Sequence, residues 1–400
     1  MEIEECLELF LQKVTPVSEI ERVHITDACK RVAAKAVCVG QPVPAFPKSA
    51  MDGYAVCASD IENASKENPV VLKVLGENCA GDCNDWKYTK NSAVRVMTGA
   101  YIPEGFDAVI RQEDTDYGME QAAVYASVKP YANYCKIGED MKAGETVLEK
   151  DNLITPLHIG LLESAGVEYV EVYRQLKVAL ISTGSELTSI GTALEKGKIY
   201  NSILYTLKAA VEREGFCVSY ERVCADEEQT LEHMLPEAAD SADIVITTGG
   251  VSVGKKDLLP VILEKVGAQR LFARANIQPG TPTIGSILKG TPILSLSGNP
   301  YAAIVNFEIY FWELASVMTH NDNWKPVITT VVLKSAYPKK NKLRRFVRAY
   351  EENGNVYLPV ETHASSVISN MTQCNCFMDI AAGTNISVGD RVTIRKMRLC

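Results

Sequence analysis

Three short stretches place glycine among hydroxyl and acidic residues directly after an apolar run. They are ISTGSEL (181–187), TTGGVSVGKKD (247–257) and LSGNP (296–300). Glycine lets backbone N–H groups come close to a ligand, and neighbouring serine and threonine hydroxyls add donors. A helix starting just beyond adds a partial positive charge, and Pro300 is placed for a first helical turn. Such loops suit phosphate or another oxyanion, through Gly184, Gly249, Gly250, Gly254 and Gly298 and the hydroxyl residues beside them, Thr183 among them. Glu186 follows the first loop, Asp226 follows the apolar run ending near Val223, and Asp257 follows the second loop. Carboxylates do not attract phosphate, but beside a phosphate loop they hold Mg²⁺, which bridges carboxylate to phosphoryl oxygen. Read singly, each glycine is a turn, and each acid is a first-turn residue worth about 0.3–1 kcal/mol against the helix dipole. Convergence of all three loops on one edge is what favours a ligand site. None has the GxxxxGK[ST] or GxGxxG spacing, so P-loop and dinucleotide folds are excluded.

The elements that must position these loops alternate between strand and helix over residues 174–321. LKVALI, FCVSYERV, DIVITT and TPILSL read as strands. SILYTLKAAVEREG, EEQTLEHMLPEAA, DLLPVILEKVG and PYAAIVNFEIYFWELASVM read as helices. This order predicts an α/β core with a doubly wound, mostly parallel sheet, where ligands sit outside the carboxyl ends of the strands. Leu7, Phe10, Leu11 and Val14 recur at helical spacing, so the chain opens with an amphipathic helix. Residues 43–141 carry short runs broken by glycine, asparagine and aspartate, a β-rich insert. Thr155, Pro156 and Gly166 bracket a helix expected to return and pack beside the opening one. The expected domains are therefore 1–42 with 142–173 (helical linker), 43–141 (insert), 174–322 (α/β) and 323–400 (a C-terminal β-barrel or sandwich). Asn353-Gly354 marks a hairpin in the last.

Composition narrows the function classes. At 400 residues two to four domains are expected, and a net charge of −9 argues against nucleic acid as a partner. The twelve cysteines are scattered without zinc-ligand spacing, which reads as reduced thiols. The acidic start MEIEE lacks a signal peptide's basic region, and no apolar run is long enough for a bilayer, so a soluble cytoplasmic protein is expected.

The strings SAMDGYAV, MTGAYIPEGFDAVIRQED, AGETVLEKDNLITPLHIGLLESAGV, ISTGSEL, TTGGVSVGKKD and LSGNP resemble, in order and spacing, the molybdopterin molybdenumtransferase family, which is similar to the E domain of gephyrin. The resemblance covers almost the whole chain. It implies four domains in an elongated homodimer, with a molybdopterin-binding α/β domain. It also implies insertion of molybdenum from molybdate, or tungsten from tungstate, into adenylylated molybdopterin with release of AMP. Matched by position, Asp52 and Thr98 would come from the partner subunit's insert. Glu186, Asp226 and Asp257 would surround Mg²⁺ and the reacting phosphate. Gly249, Gly250, Ser252, Gly298 and Asn299 would line the ligand pocket, Ser365 and Ser366 match a serine pair near the pterin, and Arg348 matches a substrate-binding arginine of the barrel.

The sequence departs from the family where lysines are usual, reading IQPGTP with Gln278 and Thr281. A neutral donor gives a bond roughly half as strong as a charge-assisted one. Either Lys255, with Lys256 or Arg274, restores the cations, or the chain is a non-catalytic pterin-binding paralogue. A scaffold role is a third alternative. The retained acids favour the enzyme, because a pure binder has no need of them.

Overall fold

The computed structural model describes residues 1–251, 258–337, 342–359 and 364–399. Strands of three or more residues central to the architecture are numbered here in chain order. Helix α1 (Ile3–Leu11) starts with a capping box between Glu2 and Glu5 and buries Ile3, Cys6 and Phe10. Strand β1 (Ile20–His24) pairs antiparallel with β7 (Tyr169–Tyr173), tying the N-terminal segment to the chain entering the core.

Between them lies a five-stranded sheet of β2 (Gly53–Val56), β3 (Val70–Asn78), β4 (Ser92–Val96), β5 (Ala108–Arg111) and β6 (Gln121–Val124). Its order is β5-β2-β4-β3-β6, with only β3 and β4 parallel. Helix α2 (Pro156–Ser164) has Pro156 in its first turn, and Gly166 beyond it adopts φ +73°. It packs beside the strand Thr146–Leu148, not beside α1. That corrects the sequence expectation. α1 lies instead on the α/β core, with Phe10 meeting the Phe272 ring edge-on at 5.3 Å. The reason is the size of the apolar surface available: the core offers Phe272, Tyr310 and the long sixth helix, whereas α2 buries only Leu162.

The central sheet comprises β8 (Lys177–Thr183), β9 (Cys217–Cys224), β10 (Ile244–Thr248), β11 (Gln269–Arg274), β12 (Pro282–Leu288) and β13 (Thr291–Leu296). Its order is β9-β8-β10-β13-β12-β11. The first four are mutually parallel, and β12 and β11 add two antiparallel pairings at one edge. Sequence reading passed over that edge. β12 and β13 are joined tightly through Lys289 and Gly290, both at positive φ, as a two-residue hairpin requires.

Period-2 alternation distributes the sheet's side chains. Leu180, Ile246 and Leu294 face α1, α3 (Ser202–Arg213) and α6 (Pro300–Met318). Ala179, Ile181, Val245 and Ile293 face α4 (Glu228–Ser241) and α5 (Leu259–Lys265). Helix α6 is buried almost all round, as an apolar helix lying between two layers must be. Beyond it, β14 (Ile328–Leu333), β15 (Arg344–Glu352), β16 (Asn355–Tyr357), β17 (Cys376–Ile380) and β18 (Arg391–Lys396) close into a barrel, because β15 pairs with both β16 and β17. Asn353 and Gly354 turn β15 into β16, both at positive φ. Among the described residues no helix is long and apolar enough to cross a membrane.

Candidate active site

The chain passes from β8 through α3 to β9 on one side, then through α4 to β10 on the other. The order therefore reverses at the β8–β10 pair, where the carboxyl ends leave a crevice. A shallow cleft occupies that place, lined among others by Thr183, Glu186, Asn201, Thr248, Gly249 and Gly298. All three glycine loops expected from the sequence meet here. A Cβ on Gly298 would sit 3.5 Å from the Gly249 Cα, so the second and third loops touch. Gly249 adopts φ +93°, and a Cβ there would fall 2.1 Å from the Thr183 carbonyl oxygen, so the first and second loops touch as well. Only glycine satisfies both constraints at position 249. The Gly249 N–H donates to the Leu296 oxygen at 3.0 Å, which binds the second loop to the end of β13.

The acids flank the first loop. Asp226 follows β9 and accepts from the Thr183 hydroxyl at 2.6 Å, the Ser185 N–H at 3.1 Å and the Ser185 hydroxyl at 3.3 Å. The Gly184 N–H donates to Cys224 oxygen at 3.1 Å, fixing that register. Glu186 is exposed, with its carboxylate 2.8 Å from where a Gly184 Cβ would stand. Both carboxylates thus border the Thr183–Ser185 turn. Hard oxygen donors at a phosphate-type loop suit Mg²⁺, and Asp226 keeps lone pairs beyond those its donors use. Among the described residues no three metal-ligating side chains cluster. Asp257, Ser252 and Lys255 lie outside the described residues.

Asn299 lines no part of the cleft with its side chain; its oxygen caps α6 by accepting from the Ala302 N–H at 3.1 Å. Asp52 and Thr98 form a tight pair in the insert, where Asp52 accepts from the Thr98 N–H at 2.7 Å and its hydroxyl at 2.8 Å. Those bonds, the backbone one first, hold the Asp52 carboxyl below the usual carboxylate range. Neither residue lines the cleft of its own chain.

Arg348, matched to a barrel arginine of the family, lines no part of this cleft. It is wholly buried, with its guanidinium 4.3 Å from the Tyr301 ring centre. Its Nη2 donates to the Ala364 oxygen at 2.7 Å and its Nη1 to the Val367 oxygen. It therefore anchors the backbone of the turn that exposes Ser365 and Ser366. Tyr301, in the first turn of α6, accepts from the Arg348 N–H at 2.9 Å and connects that turn to the cleft end of the helix.

Family descriptions match the chain in three consecutive regions. Residues 1–166 match the MoeA N-terminal region (domain I and II), 179–316 a probable molybdopterin binding domain, and 330–396 the MoeA C-terminal region (domain IV). The molybdopterin molybdenumtransferase of Haemophilus influenzae is 35% identical over 391 residues, covering 96% of this chain and 95% of that protein. The chain belongs to the molybdopterin molybdenumtransferase family. The Bacillus subtilis enzyme of that name is 36% identical over 373 residues, covering 92% of this chain and 87% of its own. A crystal structure of the molybdopterin biosynthesis moeA protein from Pyrococcus horikoshii OT3 superposes with a TM-score of 0.83 at 28% identity, covering 99% of this chain and all of that one.

Against that family, the IQPGTP departure has a definite setting. Gln278 is exposed and aligns in register with Arg345 of β15. The Thr281 hydroxyl is committed to the Ile277 oxygen. Of the cations expected to compensate, Lys255 and Lys256 lie outside the described residues, and Arg274 aligns with Pro282 in the β11–β12 ladder. The cation in register with Gln278 is thus Arg345, which the sequence reading did not name. It also missed Ser182, Thr248 and Asn201. IYNSIL has an asparagine directly before a helical run, a signal for a cap but not for a cleft.

Proposed function

We propose that the cleft at the β8–β10 crevice binds adenylylated molybdopterin and that the chain, a transferase of molybdenum cofactor biosynthesis, inserts molybdenum from molybdate with release of AMP. The observation that carries this reading is the mutual contact of the three glycine loops, through Gly249, beside Glu186 and Asp226. A pyrophosphate needs donors from several directions and an offset for its charge. The loops offer hydroxyl groups and the starts of α3 and α6, the N–H groups of Gly184, Ser185 and Gly249 being engaged within the loops themselves. A Mg²⁺ ion held by Glu186 and Asp226 would supply the charge offset as a Lewis acid. Asp226, fixed by three donors, would keep its orientation through the reaction, while exposed Glu186 is free to adjust to the bound anion.

Asp52 and Thr98 act, in this reading, from the insert of a second subunit, because neither lines the cleft of its own chain. Light scattering that finds a strict monomer would remove this role for Asp52 and Thr98. Purified protein is expected to release AMP from adenylylated molybdopterin when molybdate and Mg²⁺ are present. Asp226→Ala should abolish the release. Protein that binds the pterin nucleotide yet releases no AMP above background would refute the reaction.

A further inference from the structure

We infer that Asn201 is a ligand-binding residue: its side-chain amide nitrogen donates to a phosphoryl oxygen of the bound pterin nucleotide. The inference rests on the cleft being the site proposed above. Asn201 is only 6% exposed and lines the cleft. Its Oδ1 caps α3 by accepting the Leu204 N–H at 3.2 Å. Because that oxygen must face a donor, the amide's orientation is determined, and Nδ2 is the atom left over. Nδ2 is buried and has no hydrogen-bond partner. A buried donor left unmade carries a desolvation cost that an acceptor on a bound ligand would relieve.

A second donor stands in the same cleft. Ser182 and Thr248 are each 2% exposed and share one hydrogen bond, Oγ to Oγ, at 2.9 Å. Two hydroxyls carry two protons and that bond uses one, so the other is available to an acceptor in the cleft. Both residues line it. The N-terminus of the twelve-residue α3 opens beside them, with its N–H groups favouring negative charge. No cation lines the cleft among the described residues. The ligand that fits buried neutral donors around a helix start is an anionic oxygen, which for this substrate means a phosphoryl group.

The test separates capping from binding. Aspartate caps helices as well as asparagine, so Asn201→Asp preserves α3 while removing the donor and adding a like charge. Ser also caps, so Asn201→Ser removes the amide without adding charge. The full-length protein and both variants are titrated with adenylylated molybdopterin by calorimetry, alongside thermal unfolding. Asn201→Ser should weaken binding about ten- to a hundredfold, the factor expected for losing a bond to a charged group. Asn201→Asp should weaken it further, and its deficit should shrink as pH falls towards about 4, where the new carboxylate protonates. Melting temperatures should stay at the wild-type value. Either variant binding as wild type while folded would overturn the inference and leave the proposed function standing. Wild-type protein that binds no pterin nucleotide would overturn both.

Discussion

Gly249→Ala provides a direct test of how the site is built, with Gly298→Ala as its internal control. The two glycines touch at the floor of the cleft, yet their surroundings differ. Gly249 adopts φ +93°, a left-handed conformation that costs a non-glycine residue about 1–2 kcal/mol. Its added methyl would lie 2.1 Å from the Thr183 oxygen, inside the 3.0 Å that real Cβ atoms respect. The obstacle is backbone at the end of a central strand, so relief requires the loops to separate. Overpacking of this kind adds about 1–3 kcal/mol, for a total near 2–5 kcal/mol. A methyl on Gly298 would meet only the Gly249 Cα, at 3.5 Å, an ordinary contact, and Gly298 does not adopt a left-handed φ. Its substitution should change stability by about 0.5 kcal/mol or less. Denaturant unfolding and pterin-nucleotide titration on both variants give the comparison. Gly249→Ala should be clearly less stable and fail to bind, while Gly298→Ala should keep its stability and lose affinity only through the methyl in the cleft. Equal stability of the two variants, or wild-type affinity in Gly249→Ala, would refute the argument that loop contact at Gly249 shapes the site.

Glu308 makes the fold's stability depend on pH. It is buried on α6 and accepts from the N–H groups of Arg398 and Leu399, and burial pushes its carboxyl up to about 7. A raised folded value means the folded state binds the proton more tightly, so this contribution is full below about pH 4.5 and is lost as pH rises through about 7. Glu308→Gln should erase that loss, shifting the wild-type-minus-variant stability difference by about 3 kcal/mol between pH 4.5 and 8 in urea unfolding. A difference flat with pH would sink the assignment. Arg348→Met should free the turn at 364–367, costing about 3 kcal/mol of barrel stability through two charge-assisted bonds and speeding proteolysis there. Unchanged cleavage would show that other contacts hold that turn.

Helix and strand segments were readable in the sequence because their signals are local. The apolar runs of β8, β9, β10 and β13, the Pro156 start and the Asn353-Gly354 turn each depend on a few neighbouring residues. The antiparallel edge of β11 and β12 was passed over, since its pairing partners are set by the sheet and not by either run alone. The same limit applied to α1. Its apolar stripe announces a helix, but nothing in the stripe distinguishes α2 from the Phe272–Tyr310 surface that it covers.

For the site, the sequence alone determined that three turns able to cradle an oxyanion follow three strands, and that acids stand beside them. A strand's direction and the residue after it are properties of the chain. Whether those turns touch, as Gly249 makes them do, was decided only in three dimensions. So was the division of roles among polar side chains. Arg348 and Asn201 look alike on the page as polar residues near motifs. Burial commits the arginine to the backbone of the Ser365–Ser366 turn, whereas capping α3 occupies one end of the asparagine and leaves its buried nitrogen without a partner. A hydrogen-bond partner is chosen by distance and desolvation together, and neither quantity exists until the chain has folded.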